Sequence, residues 1–129
     1  MRMKILNMWL LLFVFCGCAV FRSLIETVPA STVYWDTVFS EYQEDVNDCS
    51  NKASRYCQAV LKEGLNADCI IIDILGGTEK HAVVRIAYSP DKIVYYDMIT
   101  GRSSRNLSDF GVYYFTVPRY WLGNFKEWK

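Results

Sequence analysis

No charged residue falls between Met8 and Phe21, and beyond that run the apolar positions change rhythm twice. In YWDTVFSEYQED (34–45), Trp35, Val38, Phe39 and Tyr42 recur at spacings of three, one and three, which predicts a short amphipathic helix. The next segment, NDCSNKASRYCQAVLKEG (47–64), carries the strongest helical pattern. Ala53, Cys57, Val60 and Leu61 form one apolar stripe, while Asn51, Lys52, Arg55, Gln58 and Lys62 are expected to face water. Asn47 or Asp48 caps the start and Gly64 the end. After Gly64 the pattern turns to branched and aromatic runs punctuated by Gly, Pro and Asp: ADCIIIDIL (67–75), HAVVRIAY (81–88), IVYYDMI (93–99) and VYYFTVPRYWL (112–122). That grammar predicts at least four strands. Helices first and strands later make an α+β fold, with the main helix packed on an antiparallel sheet.

Composition narrows the partners. The 129 residues are 52% hydrophobic, with fourteen basic and fourteen acidic side chains scattered in no block, enough for one compact core and without the basic footprint that nucleic acid requires. At the N-terminus, Arg2 and Lys4 precede an apolar core and small residues around Cys18, the grammar of an export signal over residues 1–17. The apolar run is short against the ~20 residues of a spanning helix, so an uncleaved membrane anchor is the alternative. Gly17-Cys18 resembles the lipobox of bacterial lipoproteins. That resemblance implies cleavage before Cys18, lipid attachment there, a tether over 18–33 and a domain over 34–129. Ala19 in the following position implies the outer membrane of the cell envelope, on its periplasmic side.

Five cysteines then become informative. Cys16 would leave with the signal and Cys18 would carry lipid, so an odd number remains, and in an oxidising compartment three thiols cannot all pair. A Cys57–Cys69 bridge is open to the chain and would leave Cys49 free. Cys49 occupies the first turn of the main helix, where unpaired amides and the positive end of the helix dipole favour a thiolate. Cys57 on the apolar stripe and Cys69 among isoleucines read as structural.

A cysteine nucleophile needs an imidazole and a group that fixes the ring. The one histidine is His81, at the start of a strand, and Asp97 stands in an apolar strand where carboxylates are disfavoured. If the hairpin around residues 89 to 91 has an odd loop or a bulge, residues whose numbers sum to 180 pair. His81 and Asp97 then share a face as diagonal neighbours. A regular two-residue hairpin would separate them. Asp73 competes for the third role. Gln43, six residues before Cys49, is a candidate oxyanion donor together with the Cys49 N–H. The aromatic residues from Tyr113 to Trp128 read either as packing or as a substrate groove. One histidine and scattered cysteines give no metal-ligand spacing, and no cofactor is expected.

The stretches NDCSNKASRYCQAVLKEGLNADCIIID and KHAVVRIAYSPDKIVYYDMITGR resemble the bacterial transglutaminase-like cysteine peptidases of the papain-like fold. In that group a cysteine opens a helix, a His-Ala pair opens a strand and an aspartate closes the next strand. The resemblance spans about Gln43 to Arg102. It implies a papain-like, transglutaminase-like core and a Cys49–His81–Asp97 triad, with Gln43 at the papain-type offset. The implied activity is thiol-dependent hydrolysis of amide or peptide bonds, or acyl transfer to amines, on a protein or on the peptide part of peptidoglycan. The alternative is an envelope lipoprotein that keeps the fold as a binding module without turnover.

Overall fold

The computed structural model describes residues 29–44, 47–74 and 79–124. The signal peptide, the lipid attachment at Cys18 and the tether up to residue 28 that the sequence leads one to expect lie outside them. Among the described residues no helix is long and apolar enough to cross a membrane. Two helices, α1 (Ser31–Phe39) and α2 (Cys49–Lys62), come before five strands: β1 (Asn66–Ile74), β2 (Lys80–Ser89), β3 (Lys92–Tyr96), β4 (Ser103–Ser104) and β5 (Gly111–Thr116). The strands form one antiparallel sheet in the order β4-β3-β2-β1-β5. The fold is α+β, as the order of patterns predicts.

Asp48 starts α2. Its carboxylate accepts the N–H groups of Ser50 and Asn51 at 3.0 and 3.2 Å, and the Asn51 side chain accepts the Asp48 N–H at 3.1 Å. This reciprocal cap places Cys49 as the first helical residue. Beyond the other end, Gly64 takes a φ of +83°, a conformation that favours glycine. Ala53, Tyr56, Cys57 and Val60 of α2 pack on Ala67, Cys69 and Ile71 of β1 and on Ala82, Val84 and Ile86 of β2. Alternate residues Ile70, Ile72 and Val83 point to the other face, where Leu107 and Phe110 cover them. Cys57 and Cys69 are both free and fully buried, so the bridge the sequence allowed is not formed. They fill the helix–sheet interface as small apolar groups, and burial drives both thiols up, Cys57 to about 12.

Three local expectations are corrected. Helix α1 begins at Ser31, inside the expected tether, and it ends before Tyr42. Of its predicted apolar face only Val38 packs against the core; Trp35 is 48% exposed and Phe39 77%, and the two rings stack on each other. Tyr34 and Thr37 are buried instead. Tyr34 wins the inner position because its ring meets Tyr56 and Tyr96 edge-on and its hydroxyl finds a carbonyl, so both its apolar body and its polar tip are satisfied. Asn51 and Lys52 are also buried rather than solvated. Asn51 serves the cap, and the Lys52 ammonium donates to the carbonyls of Val38 and Ser40 at 3.2 and 2.7 Å, where the C-terminal end of α1 attracts a cation. Finally, the last predicted strand is shorter, since the chain leaves the sheet after Thr116 and forms a 3-10 turn at Arg119–Trp121.

Candidate active site

The β2–β3 hairpin decides where His81 and Asp97 lie. Val84, Arg85, Ile86 and Ala87 pair with Tyr96, Tyr95, Val94 and Ile93, and then Ser89 pairs with Lys92, so Tyr88 is an extra residue in β2. The turn itself has only Pro90 and Asp91 between the strands. The bulge restores the register that an odd loop would give. Beyond Tyr96 the chain turns away from β2: Asp97 donates its N–H to the Arg102 carbonyl at 2.9 Å, and the Gly101 N–H reaches the Asp97 carbonyl at 2.9 Å. The β2 edge at His81 and Ala82 thus has no β3 partner.

That gap holds the site. His81 Nε2 lies 3.1 Å from Asp97 Oδ1, with both side chains largely covered. The same carboxylate oxygen accepts the N–H of Ile99 at 2.9 Å and of Thr100 at 3.4 Å, which fixes its direction. With Nε2 given to Asp97, Nδ1 is the ring nitrogen left for Cys49, whose thiol hydrogen-bonds to His81 and to the backbone N–H of Ala82. Asp73, the competing carboxylate, is 2.7 Å from the Lys80 ammonium. The structure therefore brings Cys49, His81 and Asp97 together and leaves Asp73 apart. Comparison of the chain with family models, with curated proteins and with solved structures returns no match.

The three groups move one another's proton affinities. Burial pushes the Cys49 thiol up, but the hydrogen bonds to His81 and the Ala82 N–H, with the imidazolium charge, outweigh it, and the thiol falls below its ordinary value despite the opposing charge of Asp48. Burial likewise opposes the imidazolium, while bonds to Asp97 and Cys49 and their charges hold His81 up at about 9. For Asp97, burial is outweighed by the His81 bond and charge and by the two turn amides, so its carboxyl lies below the usual range. Each shift favours a thiolate beside an imidazolium, the resting state from which a cysteine attacks.

A cavity of about 460 Å³ opens beside Cys49 and His81. Cys49 and Ser50 line it from α2, Ile71 from β1, Lys80, His81 and Ala82 from β2, and Tyr114 and Phe115 from β5. A second bulge explains the pair from β5. Ile71 pairs with Phe115 and Ile72 with Tyr113, so Tyr114 is the extra residue. Its ring sits under the Lys80 ammonium at 3.6 Å. A larger cavity of about 980 Å³ lies between the start of α1 and the second half of α2, and it contains neither cysteine nor histidine. Among the described residues no cluster of His, Cys, Asp and Glu could hold a metal ion.

Gln43 stands elsewhere. It is exposed, bridges Asn47 through its backbone and does not line the cavity. Sequence reasoning missed the donor that does reach the sulfur, the Ala82 amide. Its signal was present but incomplete: Ala82 follows the histidine, and its N–H is freed only because β3 stops pairing at Tyr96.

Proposed function

We propose that the protein is a thiol hydrolase of amide or peptide bonds, working through Cys49, His81 and Asp97. The observation that carries this reading is the 3.1 Å contact of His81 Nε2 with Asp97, made by the same imidazole to which the Cys49 thiol is hydrogen-bonded. In the reaction the Cys49 sulfur attacks the carbonyl carbon and the carbonyl electrons move to oxygen. The N–H of Cys49, which is not among the amides that the Asp48 carboxylate accepts, donates to that oxyanion in this reading. Collapse of the tetrahedral species expels the amine, which takes the imidazolium proton and leaves a thioester. His81, now neutral, removes a proton from water, the hydroxide adds to the thioester carbonyl, and loss of the sulfur frees the acid and restores the thiolate–imidazolium pair. An amine in place of water would give acyl transfer at the same site. Asp97 keeps the ring oriented through both halves.

The resemblance to transglutaminase-like cysteine peptidases supports the same reading through Cys49, His81 and Asp97. Export and lipid attachment at Cys18 belong to the proposal and place the substrate, a protein or a peptidoglycan peptide, in the cell envelope. A limiting dose of iodoacetamide at pH 6 is expected to label Cys49 at least tenfold faster than free cysteine, because only a thiolate alkylates at that pH. Peptide mapping identifies the labelled residue, and Cys49→Ala removes the signal. A Cys49 no faster than free cysteine would overturn the enzyme and leave the binding module.

A further inference from the structure

The turn that carries Asp97 is held from outside the sheet. Tyr34 of α1 is almost fully buried, and its hydroxyl donates to the Gly101 carbonyl at 2.8 Å. Its ring meets Tyr96 edge-on, with centroids 5.8 Å apart. Tyr96 immediately precedes Asp97, and Gly101 closes the turn through its N–H to the Asp97 carbonyl. One side chain thus grips the chain on both sides of the catalytic carboxylate. Gly101 adopts a φ of +74°, and a Cβ there would come 3.3 Å from Val38 Cγ1 and 3.8 Å from the Tyr34 hydroxyl, so α1 fits the turn without spare room.

We infer that Tyr34 is a positioning residue for the Cys49–His81–Asp97 site: by clamping Gly101 and Tyr96 it fixes the turn that aims Asp97 Oδ1 at His81. The inference rests on the proposed role of that site, but its readout does not. Burial, then the neighbouring Tyr96 and Asp97, push the Tyr34 hydroxyl up to about 12, so it remains a donor throughout neutral pH. The groups that face the imidazole are Cys49 from α2 and Asp97 from the turn. Lys80 of β2 shares the cavity, and Asp48 acts on the thiol from the helix cap. With the clamp removed, the turn gains freedom, the Nε2–Oδ1 contact is populated less, and the imidazolium loses part of its stabilisation.

The chain has a single histidine, so the imidazole resonances of the full-length ¹⁵N-labelled protein report His81 without ambiguity. Their pH titration in the wild type is expected to centre near 9. Tyr34→Phe keeps the ring and removes only the oxygen. It is expected to lower the proton affinity of His81 at least threefold, a shift of about half a unit. The control is Tyr56→Phe, which deletes another buried hydroxyl of the same ring cluster, one that donates to the Pro29 carbonyl at 2.8 Å. A role confined to packing would destabilise both variants alike and move neither titration. Positioning moves Tyr34→Phe alone. Gly101→Ala disturbs the same contact from the turn and is expected to shift His81 in the same direction, which keeps the test decisive if Tyr34→Phe is unstable. Wild-type titration near 6.5 would overturn the site reading and the inference with it. A raised wild-type midpoint that neither variant moves would overturn the inference alone.

Discussion

Asp97 uses one oxygen for two purposes. Oδ1 accepts the turn amides of Ile99 and Thr100 and also meets the His81 ring, so the carboxylate is a local turn former and a partner of the histidine at once. The two purposes separate on substitution. Asp97→Asn keeps an acceptor for the turn but loses the charge, so the fold is expected to persist while the His81 midpoint drops from about 9 toward its ordinary 6.5. Cys49 alkylation at pH 6 is expected to slow by about tenfold or more, since one unit of lost stabilisation is a factor of ten. An unchanged rate would show that the thiolate does not depend on the Asp97 charge. The residues of this site were legible to different degrees for physical reasons. Cys49 was legible because its position in a capped first turn is a local property. For His81 and Asp97 the register that sums to 180 was legible once Tyr88 is allowed to bulge, but the strand expected over 93–99 ends at Tyr96, so Asp97 meets His81 from a turn and not as the diagonal strand neighbour that the arithmetic gives. Gln43 depended on how a loop places a side chain, and no local pattern encodes that; its exposed position outside the cavity shows the cost.

At the scale of elements, bulk and period told less than the satisfaction of polar tips. Trp35 and Phe39 have the right spacing for an inner face, yet Tyr34 takes it because a buried hydroxyl had a carbonyl waiting in a turn 67 residues away. Lys52 is buried for a similar reason, since two carbonyls at the end of α1 lie within reach of its ammonium. Neither partner is visible in a window of a dozen residues. The strands were more legible, since β-branched and aromatic runs mark them directly. What the runs hide is the close approach of β1 to β5. A Cβ on Gly111 would fall 2.2 Å from the Asp73 carbonyl oxygen, a backbone atom that no rotamer can move aside. Gly111→Ala must therefore push β5 away from β1. The expected cost is about 1–3 kcal/mol, read as a lowered midpoint in thermal unfolding. Because β5 supplies Tyr114 and Phe115 to the cavity, the ratio of Cys49 labelling rates by a bulky aromatic reagent and by iodoacetamide should depart from its wild-type value as well. Unfolding at the wild-type temperature would mean the strands separate without penalty.

For the molecule as a whole, the site makes a statement about proton counts. Above pH 6.5 and below 9 the unfolded chain holds one proton on this pair, on the Cys49 sulfur, because those are the ordinary values of imidazole and thiol. With the thiolate formed by pH 7, as the proposed mechanism requires, the folded protein also holds one proton, on His81. The proton has changed atoms but not number, so the pair contributes no slope to stability against pH. Cys49→Ala breaks that balance. Asp97 still raises His81 in the folded variant, so the imidazole keeps its proton where the unfolded chain has lost it. A group with a raised folded value gives stability that is complete below its unfolded value and is lost as pH rises through the folded one. Unfolding free energy of Cys49→Ala is therefore expected to fall relative to wild type between pH 7 and 8, by up to about 1.4 kcal/mol per pH unit. Chemical denaturation at the two pH values measures the difference. Cys57 and Cys69 add a slope of their own nearer pH 9, where they ionise only when unfolded, but it is common to both proteins and cancels. Parallel behaviour of wild type and variant would mean that the folded thiol keeps its proton at pH 7. That would remove the thiolate–imidazolium pair on which the chemistry depends.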